Sequence, residues 1–156
     1  MSALSHYVFR SIWRVNAPLP DLMSVLNDLE SYPAWWPEMR EVRPLGDNRF
    51  EVVARSFLPY DLRFLSEPAP GEPGPGVIDA RLSGDLEGTV RWTVDEVADG
   101  CRLVYDQEVT THKRLLNAAA PVARPAFRAN HGLMMRHGEA GLRTFMAGYA
   151  RGAGRR

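Results

Sequence analysis

Two adjacent tryptophans held between prolines, Pro33-Ala34-Trp35-Trp36-Pro37, constrain this chain more than any other stretch. Paired indoles need a broad apolar surface to cover them, while the flanking prolines deny them a long helix. The run before them is short and amphipathic. Pro20 suits a first helical turn, where its missing N–H has no intrahelical partner, and Leu22, Val25, Leu26 and Leu29 then share one face until Pro33 ends the helix. Trp35 and Trp36 therefore either plug the end of a core or form the wall of a ligand pocket.

At 156 residues the chain has the length of one domain, and it can bury a core without disulfides or metals. The expected organisation is a single ligand-binding domain over residues 1–150 and a flexible basic tail, RGAGRR, over 151–156. A hydrophobic share of 45% beside 24% charged residues fits a soluble globular protein. No apolar run is long enough to be an integral membrane segment. MSALSHYVFRSIW lacks the basic start, apolar centre and cleavage site of a secretory signal, so a cytoplasmic location is expected. Cys101 is the single cysteine; it can close no internal disulfide and has no second thiolate for a metal, in keeping with a reducing compartment. Beside Gly100 at a turn, it reads as a packed thiol.

Charge is balanced overall, at 19 basic and 19 acidic residues, but not along the chain. After Glu108 there are nine basic residues and one acidic residue, Glu139. Arg128, Arg136 and Arg143 fall opposite the apolar stripe of the C-terminal helix and suit an acidic protein partner, or else simply offset the acidic N-terminal part. Nucleic-acid binding is not expected, because the chain lacks a phosphate-cradling glycine loop, a zinc pattern and a recognition-helix motif.

The remaining periodicity reads as strands, then one long helix. Tyr7–Val15 alternates, with Phe9, Trp13 and Val15 on one side. Further strands are expected at Arg49–Leu58, Leu62–Ser66, Val77–Leu82, Gly88–Val97 and Arg102–Thr111, the last two joined by an Ala98-Asp99-Gly100 turn. Glu67–Gly76, rich in proline and glycine, reads as a long loop within one sheet. From Pro125 to Tyr149 the period becomes helical, with Phe127, His131, Met134, Met135, Leu142 and Phe145 in one stripe. About 25 residues make a helix near 37 Å long, enough to lie across the concave face of a small sheet. Gly132, Gly138 and Gly141 within it mark either close helix packing or room for a ligand.

This order, with Ala17-Pro18 before the first helix, the DLESYPAWWP segment, Leu86-Glu87-Gly88 with Trp92, Gly100–Tyr105 and the terminal helix, resembles the START-like or Bet v 1-like helix-grip superfamily (SRPBCC), in particular its polyketide cyclase/dehydrase and lipid-transport group. The resemblance implies an α+β helix-grip fold: a curved antiparallel sheet of about six or seven strands around a long C-terminal helix, with short helices after the first strand. It implies an elongated cavity for lipids, polyketides or other apolar molecules, in which some members catalyse cyclisation or dehydration.

On that architecture, alternation places Leu103, Tyr105, Gln107 and Val109 on the inner face. The expected ligand-binding residues are Trp35, Trp36, Trp92, Tyr105, Gln107, Phe127, His131, Met134 and Met135, a mainly apolar wall with sparse polar points. No cofactor is expected, and no metal, because His131 and His137 point to different sides of a helix. The residues name no catalytic group outright; His131 and Tyr105 are the candidates for moving a proton. No serine stands in a nucleophile-elbow pattern. The inward or outward orientation of Arg55, Arg63 and Arg81 stays open. Three functions compete: binding of a small apolar or aromatic ligand, a polyketide aromatase/cyclase or dehydratase in the same cavity, and a protein-interaction module with a filled core.

Overall fold

A computed structural model describes residues 5–55, 58, 60–113 and 120–153. In chain order the elements are β1 (His6–Val15), α1 (Leu19–Asn27), a 3-10 turn (Leu29–Ser31), α2 (Tyr32–Trp35), β2 (Met39–Gly46), β3 (Arg49–Ala54), β4 (Leu62–Pro68), β5 (Val77–Gly84), β6 (Leu86–Val97), β7 (Gly100–Thr111) and α3 (Ala120–Ala153). The strands form one seven-stranded sheet in the order β1-β7-β6-β5-β4-β3-β2, antiparallel at every step. The first and last strands in sequence are thus neighbours, paired from His6↔Thr110 to Val15↔Cys101. This is the helix-grip architecture, with the long helix against the inner face of the sheet.

Several elements depart from the sequence expectation: α1 already ends at Asn27, so that Pro33 lies inside α2 rather than ending the first helix, and β3 ends at Ala54. β2 was not foreseen: it is an edge strand whose residues are mostly exposed, it carries Pro44, and it shows no apolar alternation. It is joined to β3 by Asp47-Asn48, both at positive φ (54° and 56°), the tight-turn geometry whose twist matches a hairpin. The helix α3 begins before Pro125, which falls inside its second turn, and it continues past Tyr149. Arg151–Ala153 therefore belong to the last turn of α3, and only residues 154–156 of the expected tail lie outside the described residues.

Alternation along the strands separates two faces. Outside, ion pairs run across the sheet: Arg10 Nε lies 2.7 Å from Asp106, and Arg91 Nε lies 2.6 Å from Asp79. Arg81 pairs with Glu67 at 3.1 Å, while Arg55 and Arg63 each approach Asp61 at 3.7 Å. All three arginines of open orientation therefore face outward. Inside, one apolar cluster gathers Trp13, Trp36, Trp92, Leu103, Leu142 and Met146, and a second gathers Tyr7, Val52, Phe64, Leu82, Val109 and Phe127. Cys101 is buried, donates to the Ala17 carbonyl at 3.4 Å, and has its thiol pKa raised by burial.

Candidate functional site

A cavity of about 110 Å³ lies between the inner face of the sheet and α3. That is several times the roughly 15 Å³ one buried water requires. Its wall is built by period two in the strands: Leu62, Phe64 and Ser66 from β4, Ile78, Ala80 and Leu82 from β5, Val90 and Trp92 from β6, Tyr105 and Gln107 from β7. Helix α3 closes the other side with Phe127, Asn130, His131, Met134 and Met135. Among the described residues that line it there is no Asp, Glu, Lys or Arg.

Of the residues expected at a ligand site, Trp36, Trp92, Tyr105, Gln107, Phe127, His131, Met134 and Met135 are brought together on this wall. Trp35 is not. It is buried at 3% exposure, stacked on Trp36 at 5.5 Å between centroids, and packed behind the wall. Trp35 is the last residue of α2 and Trp36 follows it in extended backbone, so the two side chains leave the chain in different directions and only Trp36 faces the cavity. Trp36 is fixed there by its Nε1, which donates to the Met134 carbonyl at 2.9 Å, and by edge contact with Trp13 at 5.4 Å. Trp13 in turn meets Trp92 at 5.0 Å, and Trp92 meets Tyr105 at 4.7 Å.

The polar groups of the wall converge on one amide. The Tyr105 hydroxyl donates to Gln107 Oε1 at 2.9 Å, and His131 Nε2 donates to the same oxygen at 3.2 Å. Phe9, opposite Gln107 in the β1–β7 register, stacks on the His131 ring at 3.7 Å with planes 8° apart. With the imidazole sandwiched between an aromatic ring and the apolar cavity, burial lowers the His131 pKa to about 4. Burial likewise raises the Tyr105 pKa. Both groups are therefore neutral near pH 7, and the triad is a network of neutral hydrogen bonds rather than a charged site.

Several wall residues escaped the sequence reading. Leu62, Phe64 and Ser66 lie in a strand that the alternation did place, Leu62–Ser66, but alternation alone did not say that this strand faces a ligand cavity. Asn130 interrupts the apolar stripe and so gave no signal. A second buried polar group lies nearby: Glu38, with its side chain 5% exposed, accepts a hydrogen bond from His137 Nδ1.

The three arginines read as a partner face are spent in part within the molecule. Arg128 lies over the Tyr7 ring at 5.6 Å, and Arg143 donates to the Arg14 carbonyl at 2.8 Å and pairs with Glu139 at 3.2 Å. Arg136 is exposed. No helix among the described residues is long and apolar enough to cross a membrane.

Residues 15–131 match the profile of the family described as polyketide cyclase / dehydrase and lipid transport. No curated protein matches the chain in sequence. Among solved structures, an aromatase/cyclase from a Streptomyces species superposes with a TM-score of 0.71 at 16% identity, over 96% of this chain and 97% of that one. A START superfamily protein from Mycobacterium smegmatis gives 0.68 at 16% identity, over 92% and 98%. The di-domain aromatase/cyclase of the steffimycin biosynthetic pathway gives 0.67 at 15% identity; the match covers 94% of this chain and 53% of that one, so the chain spans about half of the di-domain protein. At these identities the superpositions speak for a shared fold.

Proposed function

Because this chain belongs to the polyketide cyclase / dehydrase and lipid transport family, we propose that it binds a small apolar or aromatic molecule in the cavity between its sheet and α3. The cavity carries this reading: it is built from apolar and aromatic side chains, with a few polar atoms on its wall and no charged ones among the described residues. Such a wall rewards burial of apolar surface, by about 25 cal/mol per Å² removed from water, and orients its occupant through few hydrogen bonds. Native mass spectrometry of freshly purified protein, followed by titration with a solvatochromic apolar dye, tests it. A retained small molecule, or saturable dye binding, supports the reading; a protein that carries nothing and binds no dye defeats it.

A second reading is favoured by the Tyr105–Gln107–His131 network: an aromatase/cyclase that folds a flexible chain in the cavity while His131 moves a proton. A neutral imidazole with a pKa near 4 is a weak base, and charging it against an apolar wall is costly, which places binding ahead of catalysis. His131→Gln separates the two. Loss of turnover by roughly 100-fold with binding kept would reverse the order, whereas a modest loss of binding alone supports the first reading.

A further inference from the structure

On the cavity wall, one buried side-chain oxygen has no hydrogen-bond donor among the described residues. Asn130 is 6% exposed and lines the cavity one residue before His131. Among the described residues its amide nitrogen reaches only the Met134 thioether, a weak acceptor, at 3.8 Å, and its Oδ1 has no hydrogen-bond donor. Four donors of this wall bond elsewhere. Tyr105 and His131 both donate to Gln107 Oε1, Tyr32 donates to the Leu26 carbonyl at 2.6 Å, and Trp36 donates to the Met134 carbonyl. A buried amide oxygen is a strong acceptor that folding leaves unpaid unless something in the cavity donates to it.

We propose that Asn130 Oδ1 accepts a hydrogen bond from a hydroxyl of the ligand, so that the cavity selects an apolar molecule bearing a neutral phenol or alcohol over a hydrocarbon, an ether or a carboxylate of the same shape. This rests on the binding reading above and adds the class of ligand. The aromatic wall of Trp36, Trp92 and Phe127 favours a planar ring. A carboxylate would meet no cation among the described lining residues and would be desolvated without compensation. An ether lacks the proton that Asn130 Oδ1 requires.

Calorimetric titration of the wild type and of Asn130→Leu with 2-naphthol, its methyl ether and 2-naphthoate tests the inference. Leucine matches asparagine in shape and removes the acceptor. The wild type is expected to bind the naphthol about 10-fold more tightly than the ether, the margin of one buried hydrogen bond, and the carboxylate most weakly. In Asn130→Leu the naphthol should fall to the level of the ether, with ether binding kept. Equal affinity for naphthol and ether in the wild type overturns the inference while sparing the binding reading, and it does so even if the variant fails to fold. A preference that survives Asn130→Leu places the hydroxyl elsewhere and likewise overturns it. Failure of all three probes to bind the wild type would overturn the binding reading and this inference with it.

Discussion

Gly141 turns its bare Cα toward the carbonyl of Trp35, so closely that a Cβ at that position would overlap the oxygen. One turn before it, a Cβ on Gly138 would stand 2.7 Å from Trp36 Cε2 and 2.8 Å from Trp13 Cη2. Neither glycine lines the cavity. Their purpose is close packing: they let α3 settle onto the tryptophan pair, and the cavity opens further along the helix. Gly132 and Gly148 have nothing within 4 Å of an added Cβ.

The contrast sets up opposite outcomes for one substitution at two sites. Gly141→Ala must push the Trp35 backbone away and should lower stability by about 1–3 kcal/mol, even after the gain in helix propensity. Gly132→Ala meets open space and should raise stability by up to about 1 kcal/mol. Urea denaturation with an unchanged slope measures both, and equal effects at the two sites would remove the packing explanation.

Stability should also fall in mild acid because of His131. Its folded pKa, about 4, lies below the ordinary histidine value of 6.5. Between these values the unfolded chain binds a proton that the folded chain refuses, so the contribution is fully present above pH 6.5 and is lost as pH falls toward 4. The loss is at most about 1.4 kcal/mol per pH unit in that window, and less to the extent that solvent reaches the partly exposed ring. His131→Gln should flatten this part of the pH–stability curve relative to the wild type. An NMR titration in which His131 gains its proton near pH 6.5 would contradict the assignment.

How far the sequence reveals the site depends on which physical signal each residue gives. Tyr105, Gln107 and Trp92 were legible because long strands alternate strictly, and Phe127, His131, Met134 and Met135 because an amphipathic helix repeats. The Trp35-Trp36 pair announced bulk, but where a one-turn helix ends between the two rings no periodicity tells which one faces the cavity, and only Trp36 does. β2 was invisible because an edge strand need not carry an apolar face. Glu38 and Asn130 were invisible for the opposite reason: a buried polar residue looks like a surface residue until its partners are known.

Filling the cavity should abolish binding without harming the fold. Ala80, at the middle of β5, lines the cavity and pairs with Val90. Ala80→Phe would project a ring into the open space, so the usual overpacking cost of about 1–3 kcal/mol should be reduced. The expected result is at least a 10-fold loss of dye affinity, because the occupied volume is no longer open to the ligand, with a thermal midpoint within a few degrees of the wild type. Undiminished dye binding in a folded Ala80→Phe variant would place the dye outside this cavity.

The Glu38–His137 contact ties the turn after the tryptophan pair to α3, and its two members should prove strongly non-additive. The carboxylate is buried, one of its oxygens meets His137, and Oε2 has no hydrogen-bond donor among the described residues. Removing His137 alone leaves Glu38 with neither oxygen bonded by a side chain, at a cost that reaches 3–5 kcal/mol for fully buried pairs. Here the histidine side chain is 48% exposed, so water can follow it inward, and about 1–3 kcal/mol is expected for His137→Leu. Glu38→Met with His137→Leu removes the stranded carboxylate together with its partner. The double variant should therefore be more stable than His137→Leu alone, with a coupling of about 0.5–3 kcal/mol in a double-mutant cycle measured by urea denaturation. Strict additivity would mean that the two side chains touch without interacting, and that the turn is held instead by the backbone bond from Arg55 N to the Glu38 carbonyl at 2.9 Å.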